Sequence, residues 1–287
     1  MPCTNNLDLG DITEPLLVFG GPYSNLHATN ALIDEAQRLG IPPERWICTG
    51  DVAAYCAQPE ETAQMLRASG CHLVFGNCED SLGNRLDDCG CGFEEGTACD
   101  TLAGQWYTHA DARLSEDSRQ WMRTAPKTIT FRMAGLSFLC VHGSRSLINR
   151  FVFPSTDPDL KRMEIGEFDG LIAGHSGLPF TQTIETKIWH NAGALGLPAN
   201  DGTPRVWYSL LCPDDEGGVE FSHHALNYDW AAAARAMREA GLAEGYASGL
   251  ETGLWPSLDV LPASEKKLTG QPLNPGSHSL KVLDRAG

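Results

Sequence analysis

The chain has 287 residues, 42% of them hydrophobic, and a formal net charge of -16. That length and apolar content suit one catalytic-size domain, while the negative balance argues against a nucleic-acid duplex as partner, because binding a phosphate backbone needs a clustered basic face. Charged residues, Gly or Pro interrupt every apolar run before membrane-spanning length, so no membrane partner is expected. The start, Met1 to Asn6, has neither a basic region nor an apolar core, and the ten cysteines are therefore read as mostly reduced thiols of a cytoplasmic protein.

Leu16 to Phe19 reads as a strand leading into Gly20-Gly21-Pro22, after which Ala28, Ala31, Leu32, Ala36 and Leu39 recur at helical spacing until Gly40. Trp46 to Thr49 is the next strand. Pro59 opens a helix carrying Ala63, Leu66 and Ala68 that Gly70 closes, and Leu73 to Phe75 follows as a strand. This alternation implies parallel neighbours whose functional groups gather beyond the carboxyl ends of the strands. From Asp80 to Gly104 the pattern lapses into a polar, glycine-rich loop with Cys89, Cys91 and Cys99. With Cys71 these could be weighed as zinc ligands, but a one-residue gap between two cysteines is not zinc spacing, and free thiols are the reading preferred.

Leu114 to Met122 suggests another helix. Thr128 to Met133 and Leu136 to His142 flank Ala134-Gly135 as a hairpin, and Val206 to Leu211 with Val219 to His223 form a second, so the later half is richer in antiparallel sheet. Leu171 to Ala173 and Thr186 to Trp189 add short strands, and a helix with Ala232, Ala236, Met237 and Ala240 ends at Gly241. A single domain over residues 1–260 is expected, with residues 261–287 a loose tail.

Four of these pieces end a strand with a residue able to hold a metal: Asp51 in Thr-Gly-Asp, Asn77 in Phe-Gly-Asn, His142 in Cys-Val-His-Gly and His175 in Ala-Gly-His-Ser. A carboxylate, an amide oxygen and two imidazoles make a mixed oxygen and nitrogen set suited to manganese, iron or zinc. Each piece alone is weak; their order and setting carry the signal.

The ordered set Gly-Asp, Gly-Asn-Cys-Glu, Val-His-Gly-Ser, Gly-His-Ser-Gly, Asn-Ala-Gly-Ala-Leu-Gly-Leu-Pro and Asp-Gly-Thr-Pro-Arg resembles the calcineurin-like metallophosphoesterases, specifically their small bacterial phosphodiesterase branch. The resemblance runs from about residue 15 to about residue 212. It implies a four-layer α-β-β-α sandwich, two mixed sheets face to face with helices outside, and a metal site at one rim. In that family the first metal takes an opening Asp and His, a shared Asp and a last His; the second takes the shared Asp, an Asn and two His. On this chain the second set matches Asp51, Asn77, His142 and His175. The positions belonging only to the first metal fall on Gly21, Tyr23 and Gly177, so the resemblance implies one divalent ion rather than two, with Asp51 and His142 activating its water.

Tyr23 is open to two readings: a phenolate ligand for ferric iron, or, preferred, an aromatic that fills the emptied position and meets substrate. His190 could replace a lost ligand but is better read as a hydrogen-bonded core histidine. Cys78 stands where many relatives carry a proton-donating histidine but is better read as a small buried residue, Arg145 could fork onto a phosphate or be a surface arginine, and Glu79 and Asn25 are expected to steady neighbouring ligands. The function so implied is a hydrolase of small phosphate esters, phosphodiester or nucleotide-like. A scaffold that keeps the fold without turnover, as in the retromer subunit of this architecture, and metal chemistry outside phosphate esters are the alternatives. Nothing decides between a monomer and a homo-oligomer.

Overall fold

A computed structural model of the chain describes residues 6–93, 96–214 and 216–281. The order begins β1 (Asn6–Asp11), β2 (Leu16–Phe19), α1 (Leu26–Leu39), β3 (Trp46–Cys48), α2 (Pro59–Ser69), β4 (His72–Leu73) and α3 (Asn77–Asn84). It continues with α4 (Ala98–Arg113), α5 (Glu116–Thr124), β5 (Thr128–Met133), β6 (Leu136–Cys140), α6 (Pro158–Ile165), β7 (Gly170–Ala173), β8 (Pro179–Ile184) and β9 (Lys187–Ala192). It closes with β10 (Val206–Pro213), β11 (Gly218–Leu226), α7 (Trp230–Glu239), α8 (Glu244–Thr252), α9 (Ala263–Lys266) and β12 (Ser277–Lys281).

The strands form two mixed sheets, ordered β1-β5-β6-β7-β9-β8 and β12-β11-β10-β2-β3-β4. Strand alternation builds the layers. In β2, Leu16 and Val18 point into the space between the sheets, where they join Phe131, Phe138, Ile172 and Ile188, while Leu17 and Phe19 point outward to Leu32 of α1 and Leu66 of α2. On the outer face of the other sheet, Leu139, Leu171 and Trp189 pack with Ile165 of α6. Helix, sheet, sheet, helix is the result, the four-layer arrangement that the resemblance implies.

Local chemistry sets the boundaries. The Asn25 side chain accepts the Ala28 N–H and caps α1, which stops at Gly40 with φ +68°. Ala134 and Gly135, both at positive φ, make the tight turn between β5 and β6. Within the sheets β2, β3 and β4 run parallel, as do β6 and β7. Their carboxyl ends meet at one rim, where Thr49 N–H donates to Phe19 O and Gly174 N–H to His142 O.

Two expectations are corrected. The stretch 80–104 is not all loop: α3 starts at Asn77 itself and α4 at Ala98. The residues beyond 261 are not loose, since α9 forms and β12 joins the sheet edge, Leu280 opposite Val219. Their polar composition hides a set of anchors. Asp201 Oδ2 accepts the Leu273 N–H at 3.0 Å, Arg205 donates to Leu273 O at 2.6 Å, and the Glu265 carboxylate takes both Ser155 N–H and Oγ–H. The last residues, 282–287, lie outside the described part. No helix among the described residues is long and apolar enough to cross a membrane.

Candidate metal centre

Asp51, Asn77, His142 and His175 follow β3, β4, β6 and β7 on that shared rim, two from each sheet. Asp51 and His175 adopt φ of +61° and +58°, a left-handed backbone that non-glycine residues hold only where the surroundings over-determine it. For Asp51 the surroundings are Glu79. Its buried carboxylate accepts the N–H groups of Asp51 and Val52, each at 2.8 Å, and of Gly76 at 3.0 Å. For His175 they include Asn191, whose amide donates to Gly174 O at 2.6 Å and Ser176 Oγ at 2.9 Å.

His142 is the hub. Its Nδ1 lies 2.6 Å from Thr49 O, an acceptor only, which places a proton on Nδ1 and turns Nε2 toward the other donors. Nε2 stands 2.9 Å from Asn77 Oδ1, 3.1 Å from His175 Nδ1 and 3.3 Å from Asp51 Oδ2, and Asp51 Oδ2 is 4.0 Å from His175 Nδ1. Asn77 is oriented by donating its amide N–H to Cys89 O at 2.9 Å, which aims its oxygen at the cluster. Asp51 is held through Oδ1 by the Cys78 N–H at 3.2 Å, at the start of α3.

Lone pairs converging in a buried space repel unless a positive centre sits among them. The titration behaviour reflects this. Burial works to lower the His142 pKa, yet the Asp51 carboxylate and the bonds to Asp51 and Thr49 outweigh it and raise it. Burial would raise Asp51, but His142 and His175 hold it below its ordinary value. His175 is pushed down to about 3 by burial and by His142, and so stays neutral. Bonds of about 2.1 Å put neighbouring ligand atoms about 3.0 Å apart in an octahedral shell and about 3.4 Å in a tetrahedral one. The observed 2.9 to 4.0 Å brackets both values, so the residues fit a divalent ion.

The room for His142 comes from glycines. A Cβ on Gly50 would lie 2.6 Å from His142 Nδ1, and one on Gly76 would lie 2.9 Å from the same atom and 3.0 Å from Asp51 Oδ1. The sequence reading missed Gly50, Gly76, Thr49 and Asn191; a glycine directly before three of the four donors, Asp51, Asn77 and His175, is the signal that could have found the first pair.

At the positions that the resemblance assigns to a first metal, aromatic rings stand close to the backbone. A Cβ on Gly21 would sit 2.2 Å from Tyr23 Cζ, so the Tyr23 ring occupies the volume that a side chain at residue 21 needs. Burial first, then the Asp51 charge, raises the Tyr23 pKa. At Gly177 the Trp255 ring comes within 3.5 Å of where a Cβ would stand. Neither Trp255 nor Phe151, whose ring centroid is 4.2 Å from that of His175, is visible as a site residue in the sequence.

The expected roles of Arg145 and Asn25 are corrected, while Cys78, His190 and the cysteines take the plainer places preferred for them. Arg145 pairs with Glu167 at 2.6 Å near the end of α6 instead of turning to the donors. Asn25 spends its side chain on the α1 cap and on Gly196 O, at 2.9 Å, away from the ligands. The Cys78 thiol is buried and pushed up by that burial, and what reaches Asp51 is its backbone N–H. His190 is a fully buried core residue bonded to Thr181 Oγ1 at 2.8 Å and stacked on His223. Cys71 bonds back to Leu66 O, and the described cysteines are free thiols.

A family profile described as the calcineurin-like phosphoesterase superfamily domain matches residues 21–212. An uncharacterised protein of Methanocaldococcus jannaschii is 24% identical over 232 residues, which are 76% of this chain and 89% of that protein. Of solved structures, a metallophosphoesterase of Sphaerobacter thermophilus has a TM-score of 0.66 at 21% identity, covering 85% of this chain and 100% of its own. A hypothetical protein of Pyrococcus horikoshii has a TM-score of 0.70 at 14% identity, covering 84% and 99%. At such identities the solved structures speak for the fold, two mixed sheets between helices.

Proposed function

The chain belongs to the calcineurin-like phosphoesterase superfamily, and from that premise we propose that it is a phosphoester hydrolase acting on a phosphodiester or nucleotide-like substrate with a single divalent ion. The family implies metal dependence, and Asp51, His142 and His175 present buried donor atoms all within 4.8 Å of one another. With Asn77 they would hold manganese, iron or zinc. When bound, that ion would supply Lewis acidity to a phosphoryl oxygen and make water more acidic.

The chain's own residues do the remaining work. Glu79 fixes the Asp51 turn, Thr49 fixes the His142 ring, and the Cys78 N–H keeps one carboxylate oxygen of Asp51 turned to α3. The observation that carries the single-ion reading is the Tyr23 ring standing in the space of a residue-21 side chain. The test is metal analysis of protein purified without added metal, followed by bis-p-nitrophenyl phosphate turnover with wild type and Asp51→Ala. One equivalent of metal, with turnover lost in Asp51→Ala, is the expected result. Two equivalents would overturn the single-ion reading. One equivalent with no activity on a broad phosphate-ester panel would favour the scaffold alternative.

A further inference from the structure

Beside His175 the rim opens into a shallow cleft with about 60 Å³ of enclosed room, open to solvent on one side. Its walls are aromatic. On one side Tyr55 is flanked by Tyr23 and Tyr246, with ring centroids 4.7 and 4.9 Å away. On the other, Phe151 leans on His175 and stacks with Phe93 at 6.2 Å. Trp255 completes the wall next to Gly177, its indole N–H donating to Pro198 O at 2.7 Å. The ring faces therefore run outward from the donor cluster itself.

Charge narrows what the cleft can take. Among the described residues lining it there is no Lys, Arg, Asp or Glu. A polyphosphate chain, with several negative charges, would find no counter-charge there, and the chain's net -16 opposes it further. A phosphodiester carries one negative charge, which belongs at the donor cluster, and its ester arms are free to be apolar. Flat rings meet aromatic walls best, by offset stacking and edge-to-face contact.

We infer that this cleft binds an aromatic arm of a monophosphate diester, an aryl group or a nucleobase, and that the substrate class excludes polyphosphate chains. The inference rests on the hydrolase reading for which bond is broken, but not for what is bound.

The test therefore measures binding apart from turnover, by ligand-observed NMR titration of the metal-loaded protein at low temperature. Diphenyl phosphate, a dinucleoside monophosphate, dimethyl phosphate and tripolyphosphate are the probes. One or both of the first two should bind about tenfold more tightly than dimethyl phosphate, and which of them does so separates aryl from nucleobase recognition. Trp255→Ala should remove the preference and Trp255→Phe should keep it. Phe93→Leu serves the same purpose in case Trp255→Ala does not fold. In metal-loaded protein Trp255→Ala and Phe93→Leu should raise KM for bis-p-nitrophenyl phosphate much more than they lower kcat, and Trp255→Phe should leave KM near wild type. Equal affinity for diphenyl phosphate, the dinucleoside monophosphate and dimethyl phosphate, or tripolyphosphate binding as tightly as either aromatic ester, would overturn the inference. Aromatic preference without any turnover would remove the hydrolase reading and leave this one standing.

Discussion

Replacing Gly21 by Ala would put a methyl 2.2 Å from Tyr23 Cζ and 2.4 and 2.6 Å from its neighbouring ring carbons, where carbon atoms prefer about 3.5 Å or more. The ring would have to withdraw by more than about 1 Å. It has little freedom to do so: it is 5% exposed, meets Tyr55 edge-on at 4.7 Å, and its own N–H is tied to Asp51 O at 3.2 Å. Overpacking of this kind costs about 1–3 kcal/mol, and the positive φ of +26° at Gly21 adds about 1 kcal/mol for any residue with a Cβ. With Tyr23→Ala already in place only the backbone part remains. Gly21→Ala should thus cost about 2–4 kcal/mol alone and about 1 kcal/mol beside Tyr23→Ala, a coupling of about 1–3 kcal/mol. Urea unfolding of the four proteins, compared at constant m-value, reads this directly. Equal penalties in both backgrounds would show that the tyrosine does not fill the position, and the argument for a single ion would lose its structural basis.

The same volume can be refitted deliberately: Gly21→Asp, Tyr23→His and Gly177→His together would supply the donors that the resemblance assigns to a first metal, and metal analysis should then rise from one equivalent toward two. An unchanged stoichiometry would mean that Trp255 or the backbone, not the missing donors, forbids the second ion. Glu79→Gln replaces one of the oxygens that gather three N–H groups, and metal affinity in a chelator competition should fall about 10–100-fold; unchanged affinity would show that the Asp51 turn holds without it. For His190, burial first, then His223 and His278, push the pKa well below its ordinary value. The unfolded chain then binds more protons below pH about 6.5, so the stability this imidazole contributes is present above that pH and lost as pH falls. Denaturant midpoints measured from pH 7 to 5 should therefore fall less in His190→Gln than in wild type, by up to about 1.4 kcal/mol per pH unit; parallel slopes would rule this out.

The parallel strands and the four donors were legible in the sequence because each donor closes a short apolar run, and that placement follows from strand grammar alone. α3 and α4 were not. α3 is eight residues with Gly83 inside it, and α4 lacks a one-sided apolar stripe. β12 presents only Leu280 to the core, so its period-two signal is a single residue, and its place in the sheet depends on partners some sixty residues earlier. The aromatic wall was hidden for a different reason. Phe151 and Trp255 sit in loops without periodicity, and only the folded chain shows that they converge on His175. Arg145 shows the converse failure: a residue next to a motif in sequence is turned away from it by a nearer carboxylate, Glu167.

The hydrogen bond from His142 Nδ1 to Thr49 O crosses from one sheet to the other, and the four donors straddle the same seam. An ion bound there would be a rivet as well as a reagent. Seating it would tie this edge of the sandwich from both sheets at once, adding to the hydrogen bond and the buried core that already join them.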